Sequence, residues 1–198
     1  MVERRQYLDK LIKLRNKQII KVVTGVRRCG KSTLLLQFQD YLRGEGVEER
    51  QIIYLNFEKI ENEPLHDYHV LYDYVKSRLQ PGKTTYIFLD EIQAVPGFQK
   101  AVDSLFVLEQ TDLYITGSNA HMLSGELATL LSGRYMEIQM LPLSFAEYHE
   151  LTGGDRRDAW NRYFQNGGFP YTAYIEEADI RRDYLQGIYH TVLLKDIV

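Results

Sequence analysis

The stretch GVRRCGKST, residues 25–33, constrains this chain more than any other feature. It matches the pattern G-x-x-x-x-G-K-[ST], follows the apolar run QIIKVVTG, and precedes the helical spacing of KSTLLLQFQDYLR. A glycine-rich turn between a buried strand and a helix lets backbone N–H groups converge on one phosphate at the positive end of the helix dipole. We therefore predict a phosphate-binding loop formed by Gly25, Val26, Arg27, Arg28, Cys29, Gly30, Lys31, Ser32 and Thr33.

Two polar side chains of this loop and two acids further along predict a metal-assisted reaction. Lys31 would neutralise the outer phosphates, and the Ser32 hydroxyl would ligate Mg²⁺. The apolar run YIFLDE ends on Asp90 and Glu91. Asp90 would share the metal with Ser32, and Glu91 would orient and deprotonate a water that attacks the γ-phosphate. Because an acid that recruits water suits hydrolysis, Glu91 favours a hydrolase over a kinase.

The arrangement of apolar segments predicts the fold class. Strand patterns cover residues 18–25, 51–57, 84–90, 113–117 and 135–140, and helical patterns cover 3–15, 31–43, 67–79, 98–110 and 123–133. Parallel strands need crossover connections, so this alternation predicts an α/β fold with a five-stranded parallel sheet and helices on both faces. Ligands bind such sheets beyond the carboxyl ends of the strands.

After Pro142 the pattern becomes helical, with no further strand. We therefore expect an N-terminal amphipathic helix over residues 1–17, a P-loop core over 18–142 and a helical lid over 143–198. The final helical pattern ends at LLKDIV without a capping glycine or a polar tail, which favours a truncated chain over the alternative of a natural end.

Several further residues have two interpretations each. Thr116, Ser118 and Asn119 follow the fourth strand, where they would hold the attacking water or merely form a turn and a helix cap. Arg134 would stabilise charge on a neighbouring subunit's γ-phosphate, or it is an ordinary solvated or carboxylate-paired arginine. Cys29 is either a reactive thiolate or an inert small residue whose side chain points outward. Arg27 and Arg28 would add positive charge around the phosphates, or they form a solvated pair.

Composition excludes several classes of protein. One cysteine precludes an intramolecular disulfide and fits a reducing cytoplasm. The balance of 24 basic against 27 acidic residues, a net charge of −3, gives no overall signal for nucleic-acid binding. No apolar run approaches the roughly 20 residues that span a membrane, so we expect a cytoplasmic protein. The five histidines show no metal-ligand spacing, which leaves Mg²⁺ as the expected metal.

Taken together, the motifs GVRRCGKSTLL, YLNFE, YIFLDEIQAV, LYITGSNAHMLSGELATLLSGRYMEIQMLPLSFAEY, GGFPYTAY and YHTVLLKDIV resemble the prokaryotic AAA family ATPases that carry an uncharacterised C-terminal domain. These are relatives of the archaeal ATPases and of the signal-transduction ATPases with numerous domains. The resemblance runs from about residue 18 to the end. It implies an AAA+-like core that binds ATP and Mg²⁺, with the sheet order 5-1-4-3-2.

The resemblance also assigns positions to individual residues. Lys31 and Ser32 match the Walker A motif, and Asp90 and Glu91 match Walker B. Asn119 falls at the sensor position, with Ser118 and Thr116 as the alternatives, and Arg134 falls at the arginine finger. Gly168, Phe169 and Pro170 resemble a Gly-x-Pro element that packs near the adenine, although these residues alone indicate only a loop before a helix.

Members of the family are roughly twice as long as this chain. The resemblance therefore implies that a C-terminal half, sometimes grouped with restriction-endonuclease-like folds, is missing here. Through that half the protein would contact a nucleic acid or a protein partner, and through Arg134 it would contact a second copy of itself.

Three functions follow from these residues. The leading hypothesis is a Mg²⁺-dependent ATPase that drives a conformational change in an attached or partner module. The second is a slowly hydrolysing, nucleotide-gated switch or scaffold. The third is a small-molecule kinase, which also combines a phosphate loop with a helical lid. A GTPase is disfavoured because the chain contains no Asn-Lys-x-Asp element that would read guanine.

Overall fold

A computed structural model of the chain describes residues 2–118, 131, 133–192 and 194. Asn119, most of the predicted helix over 123–133 and the last residues of the predicted final helix lie outside these ranges.

The centre of the fold is a five-stranded parallel sheet. Its strands are β1 (Ile20–Thr24), β2 (Ile52–Asn56), β3 (Thr85–Asp90), β4 (Thr111–Gly117) and β5 (Tyr135–Gln139). Their order is β2-β3-β4-β1-β5, and each pairing is parallel. The predicted fold class and the order 5-1-4-3-2 are therefore confirmed.

Helices cover both faces of this sheet and continue beyond it. They are α1 (Arg5–Leu14), α2 (Lys31–Gly44), α3 (Tyr68–Lys76), α4 (Phe98–Phe106), α5 (Phe145–Thr152), α6 (Arg156–Asn166) and α7 (Ala178–Val192). Short 3₁₀ helices occupy Glu49–Gln51, Ile60–Leu65, Ile92–Ala94 and Pro170–Tyr174. Among the residues that the structure describes, none of the helices is long and apolar enough to cross a membrane.

The alternation of side chains along the strands explains the two packed faces. In β3, Tyr86 and Phe88 join the apolar cluster of α1 and α2, whereas Ile87 and Leu89 join the cluster of α3 and α4. All six residues of β3 are buried, as expected for a parallel strand covered on both sides. This packing fixes where each strand ends, and the strand ends position the site.

One charged residue lies within strand β1, next to the edge strand β5. Lys21 is fully buried, where its ammonium pairs with Asp112 of β4 and donates to the Lys17 carbonyl oxygen at 2.8 Å. The Tyr114 hydroxyl donates to the same Asp112 at 2.9 Å. Burial lowers the pKa of Lys21, against the opposing effect of Asp112, and raises the pKa of Tyr114. Lys21 and Asp112 lie near the beginnings of their strands. This network therefore lies at the amino ends of the strands, opposite the edge where the strands end.

A third, smaller apolar cluster joins the beginning of the chain to the helices that follow β5. Val2, Leu143 and Tyr148 are buried together, and Tyr163 of α6 packs against them. The chain after Pro142 is helical as expected, with α5, α6 and α7 as its described helices.

Candidate functional site

The phosphate loop joins the end of β1 to the beginning of α2. Helix α2 begins at Lys31, and Gly30 caps it in a left-handed conformation with φ of +105°. No backbone N–H of residues 30–33 donates to another described residue, so the first turn of α2 presents its amides to the adjacent cleft. These amides and the helix dipole favour a bound anion.

Gly25 allows the loop to pass close to the end of β5. A Cβ atom built on Gly25 would lie 2.4 Å from the Met140 carbonyl oxygen and 2.9 Å from the Cys29 Sγ atom. The first of these neighbours is backbone and cannot rotate away. Position 25 therefore requires glycine, because the backbone that follows β5 leaves no room for a Cβ atom.

We expect Gly25→Ala to reduce the free energy of unfolding by about 1–3 kcal/mol, since overpacked sites cost that much. Chemical denaturation would measure the change. Gly44→Ala is the matched control because a Cβ atom there meets nothing within 4 Å. Equal unfolding free energies for Gly25→Ala and the unmodified chain would contradict this account of the loop.

Lys31 points from α2 back over the loop. Its ammonium donates to the Gly25 carbonyl oxygen at 3.1 Å and lies 3.2 Å from Glu91 Oε1. Lys31 is only 4% exposed, so its charge is balanced by Glu91 rather than by solvent. The structure thus brings the predicted phosphate-binding lysine and the predicted base into one ion pair.

Asp90 ends β3 with its carboxylate fully buried. One carboxylate oxygen accepts from Thr116 Oγ1 at 2.6 Å, and the other accepts from Tyr54 at 2.9 Å and from Asn56 Nδ2 at 2.8 Å. Burial and the charge of Asp90 raise the pKa of Tyr54 to about 12, so the tyrosine remains a donor near neutral pH. No lysine or arginine among the described residues forms an ion pair with Asp90, and its three hydrogen-bond donors are neutral groups.

Glu91 follows in a left-handed conformation, with φ of +56°. Its backbone N–H donates to Thr116 Oγ1 at 2.9 Å, and its carboxylate accepts from Gln93 Nε2 at 2.6 Å. Glu91 is 7% exposed, yet it lines the cleft beside the loop. This backbone conformation turns the chain at Glu91 away from the direction of β3. The Glu91 side chain then lies beside Lys31.

Of the three polar residues at the end of β4, the structure describes two. Thr116 is fully buried and its hydroxyl is used by Asp90 and Glu91, so it holds these acids in place. Ser118 is also buried, and its hydroxyl has no hydrogen-bond partner among the described residues. Asn119 lies outside the described residues.

The donor set fits a magnesium ion. Ser32 supplies a hydroxyl at the cleft, and Asp90 supplies a buried carboxylate without a cationic partner. Mg²⁺ is bound in proteins through one or two oxygen ligands together with substrate phosphates. Residues 2–118 and 133–192 contain no group of three or more His, Cys, Asp or Glu side chains that could hold a metal ion.

Comparison with known proteins identifies the family. A family model described as an AAA domain matches residues 17–149. The chain belongs to the AAA family. An uncharacterised Haemophilus influenzae protein is 41% identical over 203 residues, covering 100% of this chain and 50% of the relative. An uncharacterised Methanocaldococcus jannaschii protein, MJ1544, is 31% identical over 202 residues, covering 90% of this chain and 42% of the relative.

Solved structures agree on the fold. The Walker-type ATPase PABY2304 of Pyrococcus abyssi superposes with a TM-score of 0.62 at 16% identity, covering 98% of this chain and 74% of that one. The chain spans about half the length of the curated relatives it matches. The AAA domain described here therefore corresponds to one part of those longer proteins.

Cys29 of this AAA domain does not point outward as expected. It is fully buried beneath the loop, with Sγ 3.7 Å from the Met140 carbonyl oxygen. Burial raises the pKa of its thiol, against the opposing charges of Lys31 and Arg4. The thiolate interpretation is wrong for this geometry, because a buried thiol of raised pKa is unreactive near neutral pH.

A cleft of about 780 Å³ lies over the loop and reaches the helices that follow β5. Residues of the loop line this cleft together with Glu58 and Glu91, and Arg27 pairs with Glu58 at 3.2 Å. The cleft is also lined by Val2, Arg4, Leu143, Leu151, Pro170, Tyr171, Tyr174, Tyr184 and Thr191. Arg28, though exposed, lies with its guanidinium 5.5 Å from the Tyr184 ring of α7. The loop and α7 therefore meet across the cleft.

The Gly-x-Pro element, residues 168–170, contributes Pro170 to the lining of this cleft. A Cβ atom on Gly168 would lie 2.4 Å from the Leu143 carbonyl oxygen, and the Leu143 N–H donates to the Gly168 carbonyl oxygen at 2.6 Å. Phe169 precedes the 3₁₀ helix that begins at Pro170, which lines the cleft. The structure thus places Pro170 on the same cleft as Lys31.

Arg134 is not in this cleft. It immediately precedes β5, and its carbonyl oxygen accepts from the Ile20 N–H at the beginning of β1. Its guanidinium lies 5.9 Å from the Phe106 ring. The five residues of β5 separate it from the loop edge by roughly 16 Å. Arg134 therefore does not reach the phosphate loop of its own chain.

Sequence reasoning missed three residues of the site. Asn56 carried a recognisable signal, because it is polar at the end of an apolar strand, next to Asp90 in the register. Tyr54 resembled an ordinary strand residue. Arg4 preceded an amphipathic helix and carried no signal, yet it is 3% exposed and contacts the phosphate loop.

Proposed function

We propose that this AAA domain binds ATP with Mg²⁺ and hydrolyses it. The observation that supports this most is the pairing of Lys31 with Glu91 at 3.2 Å beside the free amides of α2. That arrangement combines a cation for the phosphates, a carboxylate for a water and a helix N-terminus for an anion within one cleft.

Each residue of the site then has a distinct task. Lys31 and the amides of residues 30–33 bind the phosphates, and Ser32 and Asp90 hold Mg²⁺. The metal supplies neutralisation of the charge that develops on the phosphates. Thr116, Tyr54 and Asn56 fix the direction of the Asp90 carboxylate.

Glu91 acts on the water. Phosphates that bind at the α2 N-terminus compete with Glu91 for the Lys31 ammonium, which leaves the Glu91 carboxylate available to accept a proton. Gln93 and the Thr116 hydroxyl keep its side chain and backbone in place meanwhile. We assign assisting roles at the γ-phosphate to Asn119 in the same chain and to Arg134 from a second copy.

The apolar residues that line the cleft are the proposed contacts for the adenine. Val2, Leu143, Leu151 and Pro170 offer it a largely apolar wall next to three tyrosines. We propose that hydrolysis at the phosphate loop changes the position of α5–α7 and so drives an attached or partner module. The part of the longer relatives outside the match is the proposed contact for a nucleic acid or protein partner.

A second candidate is a nucleotide-gated switch that hydrolyses slowly. The contact between Arg28 and Tyr184 favours it, since bound phosphates would compete with the Tyr184 ring for the Arg28 guanidinium. A slow rate of turnover that a partner does not change would favour this candidate.

The test is ATP turnover per chain as the protein concentration rises. Because Arg134 lies at the far edge of its own sheet, we expect turnover to rise with concentration and Arg134→Ala to abolish that rise. Arg157→Ala, which alters an exposed arginine of α6, should behave as the unmodified chain does. A turnover that is measurable but independent of concentration would contradict the role of Arg134, and no ATP binding would contradict the proposed function itself.

A further inference from the structure

Arg4 is a buried arginine to which the proposed reaction gives no task. It immediately precedes α1, and its backbone N–H donates to Gln37 Oε1 at 3.2 Å. The Gln37 amide in turn donates to the Val2 carbonyl oxygen at 2.7 Å. Residues 2–4 are therefore held against α2, with the Arg4 side chain directed into the molecule.

The Arg4 guanidinium joins three separate elements. It donates to the Cys29 carbonyl oxygen of the phosphate loop at 3.0 Å, to the Leu141 carbonyl oxygen after β5 at 2.8 Å and to the Glu147 carboxylate of α5 at 2.8 Å. A guanidinium offers five N–H donors in a rigid plane, so it satisfies all three at once. A lysine ammonium at the same place would satisfy only some of them.

The contact with Cys29 controls the direction of an amide. In a planar trans peptide the C=O and N–H bonds point in opposite directions. Because Arg4 holds the Cys29 carbonyl oxygen, it also fixes where the Gly30 N–H points. The neighbouring residues have positive φ, +65° at Arg28 and +105° at Gly30, so this peptide is held in an orientation that a chain seldom adopts unaided.

We propose that Arg4 is a positioning residue for phosphate binding. By holding the Cys29 carbonyl, it orients the Gly30 amide toward the phosphate chain of a nucleoside triphosphate. Through Leu141 and Glu147 it ties that orientation to α5. This inference rests on the proposed function only for the identity of its ligand, a nucleoside triphosphate. It does not depend on whether the nucleotide is hydrolysed.

The experiment compares Arg4→Gln with Arg5→Gln by calorimetric titration. Arg5 is the matched control because its side chain is 77% exposed and forms an ion pair with Glu3 rather than with the loop. The probes are AMP-PNP, inorganic tripolyphosphate and adenosine. For Arg4→Gln we expect a loss of about tenfold to hundredfold in affinity for the two phosphate-bearing probes, the effect of one hydrogen bond to a charged group. Affinity for adenosine should stay unchanged, and Arg5→Gln should change none of the three.

Unchanged affinity for tripolyphosphate in a folded Arg4→Gln variant would overturn the proposal. An equal loss for adenosine would also overturn it, because a purely structural role would disturb the whole cleft. If Arg4→Gln does not fold, Arg4→Lys decides: a smaller loss confined to the phosphate-bearing probes supports the proposal, and unmodified affinity overturns it. If the unmodified chain binds tripolyphosphate but not AMP-PNP, the proposed function fails, and the tripolyphosphate comparison still tests Arg4.

Discussion

Replacing Glu91 with glutamine should leave a folded protein that binds ATP but turns it over about 10²- to 10⁴-fold more slowly, the usual contribution of a general base. Glutamine has nearly the same shape and keeps an oxygen for Lys31 and Gln93, but it cannot accept a proton from water. The left-handed backbone conformation at this position costs glutamate and glutamine about the same free energy, so the substitution should not change the strain. Single-turnover hydrolysis of labelled ATP would measure the rate, and titration with AMP-PNP would measure binding.

The matched control is Glu58→Gln. Glu58 lines the same cleft, but its side chain is 61% exposed and pairs with Arg27 rather than with Lys31. We expect it to change turnover by less than about threefold, as for a surface ion pair. Turnover of Glu91→Gln at the rate of the unmodified chain would disprove the role of Glu91 while leaving ATP binding in place.

Replacing Lys31 with methionine should weaken ATP binding by about 10²-fold or more. Methionine fills a similar volume but removes the buried ammonium that we assign to the phosphates, and truncating a buried charge pair costs about 2–5 kcal/mol or more. The same change leaves Glu91 buried without its cation, so the free energy of unfolding should fall as well. Titration calorimetry and chemical denaturation measure these two effects separately.

The double variant Lys31→Met with Glu91→Gln distinguishes the two effects. It carries no unpaired carboxylate at the site, so it should recover part of the lost stability. It should not recover ATP binding, because the cation is still absent. An ATP dissociation constant within threefold of that of the unmodified chain in Lys31→Met would contradict the assignment of Lys31 to the phosphates.

Much of the fold followed from the pattern of apolar residues. Apolar residues repeat with different periods in strands and helices, so the sequence between residues 18 and 118 showed which segments are strands and which are helices. Parallel pairing followed because helices connect the strands. The ends were less accurate: the predicted helix over 98–110 ends at Phe106, since the last residues form a turn into β4. The spacing of apolar residues shows which side of a helix is buried, but it does not show at which residue the helix ends.

The candidate site was predictable where its residues are close together in the sequence. Gly25 to Thr33 form one local turn, and Asp90 and Glu91 end one strand, so spacing alone placed Lys31, Ser32 and Asp90 at the same edge of a parallel sheet. The outward direction of Cys29 was wrong because that direction depends on Met140, 111 residues away. For Thr116 the sequence suggested contact with the attacking water or the γ-phosphate. In the structure its hydroxyl instead donates to Asp90 and accepts from the Glu91 N–H.

The sequence by itself determined the phosphate loop, the two acids and the parallel α/β fold, because these depend on residue type, spacing and periodicity. Only the tertiary structure decided that Lys31 pairs with Glu91, that Tyr54 and Asn56 hold Asp90, and that Arg4 reaches the loop from the beginning of the chain. The physical reason is that buried charges need partners, and folding supplies those partners from distant segments.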